Sequence, residues 1–175
     1  MTVVLQREAP CRAVIRVFQP ELDLVLNVAA LSRGQSVVLR HPEAIRPWQH
    51  VLDCLAGYLT LAEALYGDPK RYADEWNFGP GDADMQPVSY VVEALAKQWN
   101  ASKPWRRDSA VHAHEELELR LNSQKAAREL KWFPHLNLDE ALKWTAEWFH
   151  RHAKGESPRD LCHQQLSRYA ELRRE

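Results

Sequence analysis

The sequence predicts an α/β fold that is rich in helix and short of strand. Three observations carry that prediction. Helical and extended patterns alternate along the chain, the order typical of α/β architectures. The helical stretches are long and strongly apolar, whereas the visible strands number two or three and are brief. Those strands are too few for a stable open sheet, so apolar helix surface is left that a sheet should cover.

Taken in order, "TVVLQ" and "AVIRVF" near the N-terminus each read as a short strand. From Pro20 the pattern clears: Leu22, Val25, Leu26, Ala29 and Ala30 keep helical spacing, and Gly34 is placed to end the helix. "SVVLR", Ser36 to Arg40, is β-branched and reads as a strand. Val51, Leu52, Leu55, Tyr58, Leu59, Ala62, Leu65 and Tyr66 then form one stripe of a helix, with Pro47 near its start and Gly67 at its end. "DEWNFGPG" reads as a strand running into a turn, and Val88 to Trp99 as a helix with Pro87 at its threshold. "SKPWRRDSAVHAHEE" reads as a loop containing a short strand, "ELRLN" as an extended piece, and Asn122 or Ser123 as the cap of a helix reaching Leu130. Asn137 to Glu140 has capping-box spacing. The helix it opens carries Leu138, Ala141, Leu142, Thr145, Trp148 and Phe149 on one side and ends at Gly155. "SPRD" starts a last, polar, peripheral helix.

Composition narrows the function classes. A chain of 175 residues with 45% hydrophobic and 27% charged residues suits one globular domain and speaks against disorder. The 23 basic and 24 acidic residues leave a net charge of -1, which argues against a general nucleic-acid binder but leaves room for one small anionic ligand. Cys11, Cys54 and Cys162 are scattered and odd in number, so a reducing, cytoplasmic setting is expected. No apolar run approaches a membrane span and no signal-peptide pattern opens the chain, so neither a membrane span nor a leader is expected.

Candidate chemistry is sparse. His112 and His114 lie beside Glu115 and Glu116, but no further ligand stands at a recognisable spacing, and metal binding is not expected. His150 and His152 suit a helix C-terminus electrostatically. There is no GxSxG elbow, no P-loop and no GxGxxG. The tyrosines at 58, 66, 72 and 90 are not expected to supply a Tyr-x-x-x-Lys base pair. Arg46 stands out on a strand-to-helix connection, followed by Trp48, Gln49 and His50. Its guanidinium could hold a phosphate bidentately beside a helix N-terminus. A solvated arginine next to a buried tryptophan is the equal alternative.

The residues then point to a family. "HPEAIRPWQHVLDCLAGYLTLAEALY", "RYADEWNFGP", "PVSYVVEAL" and "HAHEELELRLNSQKAARELKWFPHLNLDEALKWTAEWF" together resemble the C-terminal half of CDP-glucose 4,6-dehydratases, members of the extended short-chain dehydrogenase/reductase superfamily. The resemblance spans about residues 21 to 170. "AIRPWQHV" and "WNFGP" are its more specific motifs, and the closing helices are shared with other nucleotide-sugar dehydratases and epimerases. It implies a helix-rich, C-terminal substrate-binding part of that fold, without a complete Rossmann sheet. The resemblance divides the chain into an atypical segment over 1–20, a nucleotide-sugar-binding part over 21–155 and a peripheral helix over 156–175.

The family reaction oxidises the sugar at C4, eliminates water across C5 and C6, and returns the hydride to C6. Its NAD and its catalytic Tyr-x-x-x-Lys belong to a first half that this sequence does not show, so no cofactor is expected in this chain. By the resemblance, Arg46 contacts the substrate diphosphate, Asn77 reaches the same nucleotide, His114 belongs to a segment that closes over it, and Gln49 lies near that pocket. The implied partners are CDP-glucose or a related nucleotide sugar and a Rossmann-domain chain or another copy of this one. A chain of this kind is expected to be inactive alone. The sequence departs from the family where a glycine-rich segment gives way to "VIRVFQPELD" and where Asn122 replaces an acidic cap. Two other readings stand beside it: a non-catalytic interaction module, and a binder of a different small ligand on the same scaffold.

Overall fold

The computed structural model describes residues 2–5, 13–16, 30–102, 104–110 and 116–174. β1 (Thr2–Leu5) and β2 (Ala13–Arg16) form where the two N-terminal motifs read as short strands, and they pair antiparallel. Most of the helix expected from Leu22 lies outside the described residues; its last turn, 30–32, is helical and Gly34 follows at φ 68°. β3 (Val37–Leu39) comes next, then β4 (Ile45–Pro47). The long helix α1 is Val51–Gly67, followed by a single turn, α2 (Pro69–Tyr72), and by β5 (Trp76–Asn77). β6 (Met85–Pro87) leads directly into α3 (Val88–Gln98), and β7 (Trp105–Arg107) follows. A π-helical turn over Ala126–Leu130 precedes α4 (Leu138–Ala153) and α5 (Pro158–Leu172).

The strands make ribbons rather than one sheet. β3 pairs with β7 in parallel, β4 pairs with β6 antiparallel, and β1 lies between β2 and β5. Parallel pairing, expected from the alternation of strand and helix, is found among the described residues between β3 and β7 and at a single bridge from Ile45 to Glu118. The helix-rich architecture without a complete Rossmann sheet is as expected, and short ribbons exceed the two or three strands visible in the sequence because two- and three-residue strands carry too little periodicity to read.

Three apolar clusters hold these pieces. The largest joins the first ribbon to α3 and α4 through Leu39, Val91, Val92, Leu95, Leu142 and Ala146. The second gathers Leu61, Trp76, Phe78, Ala126 and Trp132 beneath α1. The third seats α5 on α1 and α4 through Leu52, Ala56, Leu136, Trp144 and Tyr169. Burying one such aliphatic side chain contributes about 1.5–3 kcal/mol.

Several local signals read as expected. Asn137 caps α4 with the reciprocal Glu140 bond of a capping box, and Gly155, at φ 92°, stops it. Ser157 caps α5 with Pro158 at its first position. Other expectations need correction. Pro47 does not start α1; it ends β4, and His50 is the cap. The apolar residues of α1 do not form one stripe. Leu52, Ala56 and Leu61 face inward, while Val51, Leu55, Leu59 and Tyr66 are 60%, 46%, 63% and 94% exposed. The two sets lie about 100° apart on the helix, so a single count of apolar residues merges them. On α4 the deeply buried tryptophan is Trp144, and Trp148 is only half-buried.

A close approach fixes α1 on the turn that follows β5. A Cβ at Gly57 would stand 2.7 Å from Cγ of Phe78, whose ring is fully buried. Gly57→Ala should therefore lower stability by about 1–3 kcal/mol, as an overpacked core does, although alanine is the better helix former; a melting temperature that rises instead would show that the ring moves aside freely.

Candidate functional site

The site is built on β4 and the three residues, Trp48 to His50, that carry it into α1. β4 is flanked on both sides. Arg46 stands opposite Gln86 of β6, and Ile45 exchanges backbone bonds with the 117–119 segment: its N–H donates to Leu117 O at 2.8 Å and its O accepts from Leu119 N–H at 3.1 Å. The segment leaving the expected His114 loop thus runs beside the strand that carries Arg46. His114 itself, with His112 and Glu115, lies outside the described residues.

Arg46 is only 5% exposed, and its Nη1 donates to Ile45 O at 2.9 Å. The alternative of a solvated arginine beside a buried tryptophan is reversed: the arginine is buried, and Trp48 is half-buried with its indole N–H donating to Gln86 O at 2.8 Å. A guanidinium keeps its charge when buried, so its environment must supply acceptors or an anion.

Gln49 ties this connection to the "WNFGP" turn. Its Nε2 donates to Phe78 O at 2.8 Å, and among the described residues its buried Oε1 has no hydrogen-bond partner. A cavity of about 260 Å³ opens beside Trp48, Gln49 and His50, closed on the far side by Leu138, Ala141 and Thr145 of α4. Asn77 directly precedes Phe78, and its Nδ2 lies 3.5 Å from Asn122 O. Gly79 N–H donates to Ser123 Oγ at 2.7 Å. The turn after β5 is thereby bonded to the Gln49 connection on one side and to the 122–123 segment on the other. A larger cleft, about 510 Å³, lies along that second side between Gly79–Asp82, residues 120–124 and Phe133.

Of the expected site residues, the structure brings Gln49 to the Asn77 turn through Phe78 and brings the 117–119 segment to Arg46. Ser123 and Phe78 were not read from the sequence as site residues, since a lone serine and a core aromatic carry no spacing signal. Two absences are qualified by the fold. Among the described residues no group of three or more His, Cys, Asp or Glu side chains could hold a metal. Tyr66 and Lys70 do stand four apart, contrary to the expectation that no tyrosine has that spacing. However, α1 ends between them at Gly67 and α2 begins at Pro69, so one helix face does not present both.

His50 supplies the electrostatic detail of the site. Its Nδ1 accepts the Leu52 N–H at 3.3 Å, capping α1, and its ring meets Trp144 edge-on with centroids 5.7 Å apart. Burial holds the imidazole below its ordinary range, against the opposing pull of Asp53. The neutral ring is the form that can accept this bond.

The fold defined by this arrangement is that of the C-terminal part of extended short-chain dehydrogenase/reductase enzymes. UDP-glucose 4-epimerase of Thermotoga maritima, solved with UDP-glucose, superposes with a TM-score of 0.61 at 22% identity, over 77% of this chain and 41% of that one. dTDP-glucose 4,6-dehydratase of Bacillus anthracis, solved with NAD, gives 0.60 at 21% identity, over 75% and 40%. The sequence likeness is more particular. The chain is 34% identical over 140 residues to CDP-glucose 4,6-dehydratase of Salmonella typhimurium, which covers 80% of this chain and 39% of that protein. It is also 29% identical over 107 residues to the bifunctional protein GAL10 of Pachysolen tannophilus, covering 59% of this chain and 15% of that protein. No family model matches the chain. The resemblance to CDP-glucose 4,6-dehydratase read from the sequence is thus shown, and the chain spans well under half of the length of the relatives it matches.

The His50 cap has a testable pH dependence. Because the folded state holds the imidazole pKa below its unfolded value of about 6.5, this stabilisation is complete above that value and is lost as pH falls through the folded pKa. His50→Asn, which can cap without titrating, should cost at most about 1 kcal/mol at pH 7.5 and should show a smaller fall in melting temperature between pH 7.5 and 5 than the native chain. Parallel melting curves for the two proteins would remove His50 from this role.

Proposed function

We propose that the chain is the nucleotide-sugar-binding part of a CDP-glucose 4,6-dehydratase-like lyase of deoxysugar biosynthesis, recognising CDP-glucose or a related nucleotide sugar and catalytically silent alone. The observation that carries this reading is the join between its two most specific motifs. Gln49 of "AIRPWQHV" is bonded to Phe78 of "WNFGP", in a chain similar to that dehydratase over 80% of its length. On this reading Arg46 provides the fixed positive charge for the diphosphate, Gln49 and Asn77 provide hydrogen bonds at its edge, and His114 closes over the nucleotide.

Among the described residues, neither the glycine turn nor the Tyr-x-x-x-Lys spacing suits NAD. The Gly79–Gly81 turn opens onto a three-residue 3-10 turn rather than a helix, so it offers no helix N-terminus to a pyrophosphate. Tyr66 and Lys70 are split by a helix break. On this reading the hydride chemistry of the family is supplied by residues outside this chain. The exposed apolar side of α1 favours a second chain as its source, because a helix apolar on two sides is built to lie between two layers. An interaction module without substrate recognition is the alternative that the same surface supports.

Three outcomes test these readings. Purified chain given NAD and CDP-glucose should form no 4-keto-6-deoxy sugar, and Arg46→Ala should weaken CDP-glucose binding by about 2–4 kcal/mol in calorimetry; unchanged affinity would separate Arg46 from the ligand. Leu55→Glu with Leu59→Glu should leave the fold intact, since both residues are exposed, and should cut the fluorescence of a bound apolar dye by roughly half. Undiminished dye binding would place the sticky surface elsewhere.

A further inference from the structure

The C-terminal helix α5 looks peripheral by composition, yet it reaches the most deeply buried charge among the described residues. Asp53, in the first turn of α1, is 0% exposed. Its Oδ1 accepts two short bonds, from the Tyr169 hydroxyl at 2.7 Å and from the His135 backbone N–H at 2.7 Å. Its backbone O accepts the Trp132 indole N–H at 3.2 Å. Among the described residues its Oδ2 has no hydrogen-bond partner. A buried carboxylate with so few donors is held tightly by each of them, since losing one exposes the full desolvation penalty. Burial first, and then the Asp53 carboxylate, hold the Tyr169 phenol above its ordinary range, so it remains a donor.

Only Leu161 and Tyr169 of α5 are fully buried, so this helix has little apolar anchorage of its own. Leu172 adds to the third apolar cluster, and two further contacts go to Trp144 of α4. Gln165 Nε2 donates to Trp144 O at 2.9 Å, and the Arg168 guanidinium lies 4.1 Å from the centre of the Trp144 ring. Trp144 in turn meets His50 edge-on. Two routes, Tyr169 to Asp53 and Arg168 through Trp144 to His50, therefore end within residues 50–53. Those residues continue without a break from the connection that carries Arg46, Trp48 and Gln49.

We propose that Tyr169 is a positioning residue: its hydroxyl, through Asp53, fixes the first turn of α1 and with it the angle at which residues 46–50 enter the site. The inference deepens the nucleotide-sugar reading and rests on it for its effect on ligand. The hydroxyl acts through geometry and touches neither Arg46 nor Gln49. Its loss leaves the ring packed and the helix docked but frees the turn. The Arg168–Trp144–His50 contact limits that freedom without replacing a hydrogen bond to a charge.

The test is Tyr169→Phe in the full chain, which keeps the ring in the third apolar cluster. Hydrogen exchange of the Leu52 and Asp53 amides should accelerate about tenfold, as the loss of one bond to a charged group allows, while Val91, Val92 and Leu95 amides stay unchanged. CDP-glucose affinity, measured well below both melting temperatures, should fall about fivefold. Exchange that stays unchanged at the first turn, or rises equally in α3, would overturn the positioning role and leave Tyr169 as ordinary packing. Accelerated exchange with unchanged CDP-glucose affinity would confine the role to the turn and overturn the effect on ligand. Should the native chain not bind CDP-glucose at all, the nucleotide-sugar reading fails and the exchange measurement still decides whether Tyr169 holds the turn.

Discussion

The contact between Phe78 and Gly57 is the constraint from which the site follows. Phe78 is fully buried and packs edge-on against both Trp132, at 5.0 Å between ring centroids, and Tyr58, at 5.7 Å. Such pairs contribute about 0.5–1.5 kcal/mol each beyond area burial. The ring sits where any larger residue than glycine on α1 would stand. Its position sets the course of the backbone on both sides: Phe78 O becomes the acceptor for Gln49, and Asn77 and Gly79 are turned toward Asn122 and Ser123. One aromatic residue, seated on one missing side chain, thus aligns three separate stretches of sequence.

How legible this was depends on the range over which each signal acts. The long helices were readable because capping and periodicity are local: Asn137 with Glu140, Gly155, and Ser157 with Pro158 all do what their positions suggest. Strand pairing was not readable, because a three-residue strand such as Ile45–Pro47 is defined by partners at Gln86 and Leu117, far along the chain. Arg46 and Gln49 were legible as unusual, since a polar, aromatic run beside a helix start invites explanation. Asp53 was not, because an acidic residue in the first turn of a helix is ordinarily a surface residue favoured by the helix dipole. Only the fold reveals that Tyr169, 116 positions later, buries it.

Burial of Arg46 and Asp53 on either side of the α1 N-terminus gives the site its electrostatic character. Both are almost removed from water, at 5% and 0% exposure. Charges in such settings cost several kcal/mol unless they are partnered. Arg46 offers a planar fork of donors, one of which goes to Ile45 O, whereas Asp53 is met by the neutral donors of Tyr169 and His135. The carboxylate is thus turned into the fold, and the guanidinium stands on β4, just ahead of the connection into α1. A diphosphate would match such a fork in both charge and geometry, which is why the arginine rather than a histidine bears the weight of the proposed recognition.

Helix α1 finally explains why one chain carries both a well-packed interior and a surface that looks like interior. Its 17 residues span about 25 Å at 1.5 Å per residue. Leu52, Ala56 and Leu61 are met by Trp132, Trp144 and Tyr169 among others, so that side is satisfied within the chain. Val51, Leu55, Leu59 and Tyr66 keep the same helical spacing on the other side and are left to solvent. Leaving Val51, Leu55 and Leu59 open forgoes about 1.5–3 kcal/mol for each, a penalty that a freestanding domain would avoid by using polar residues there. Relatives of which this chain spans about 40% carry further polypeptide, and the proposed function takes a second chain as the cover of this face. In the proposed function this outward stripe would receive the second chain, and because α1 follows directly on the connection that carries Arg46, Trp48 and Gln49, docking and ligand recognition would be set by the same rigid element.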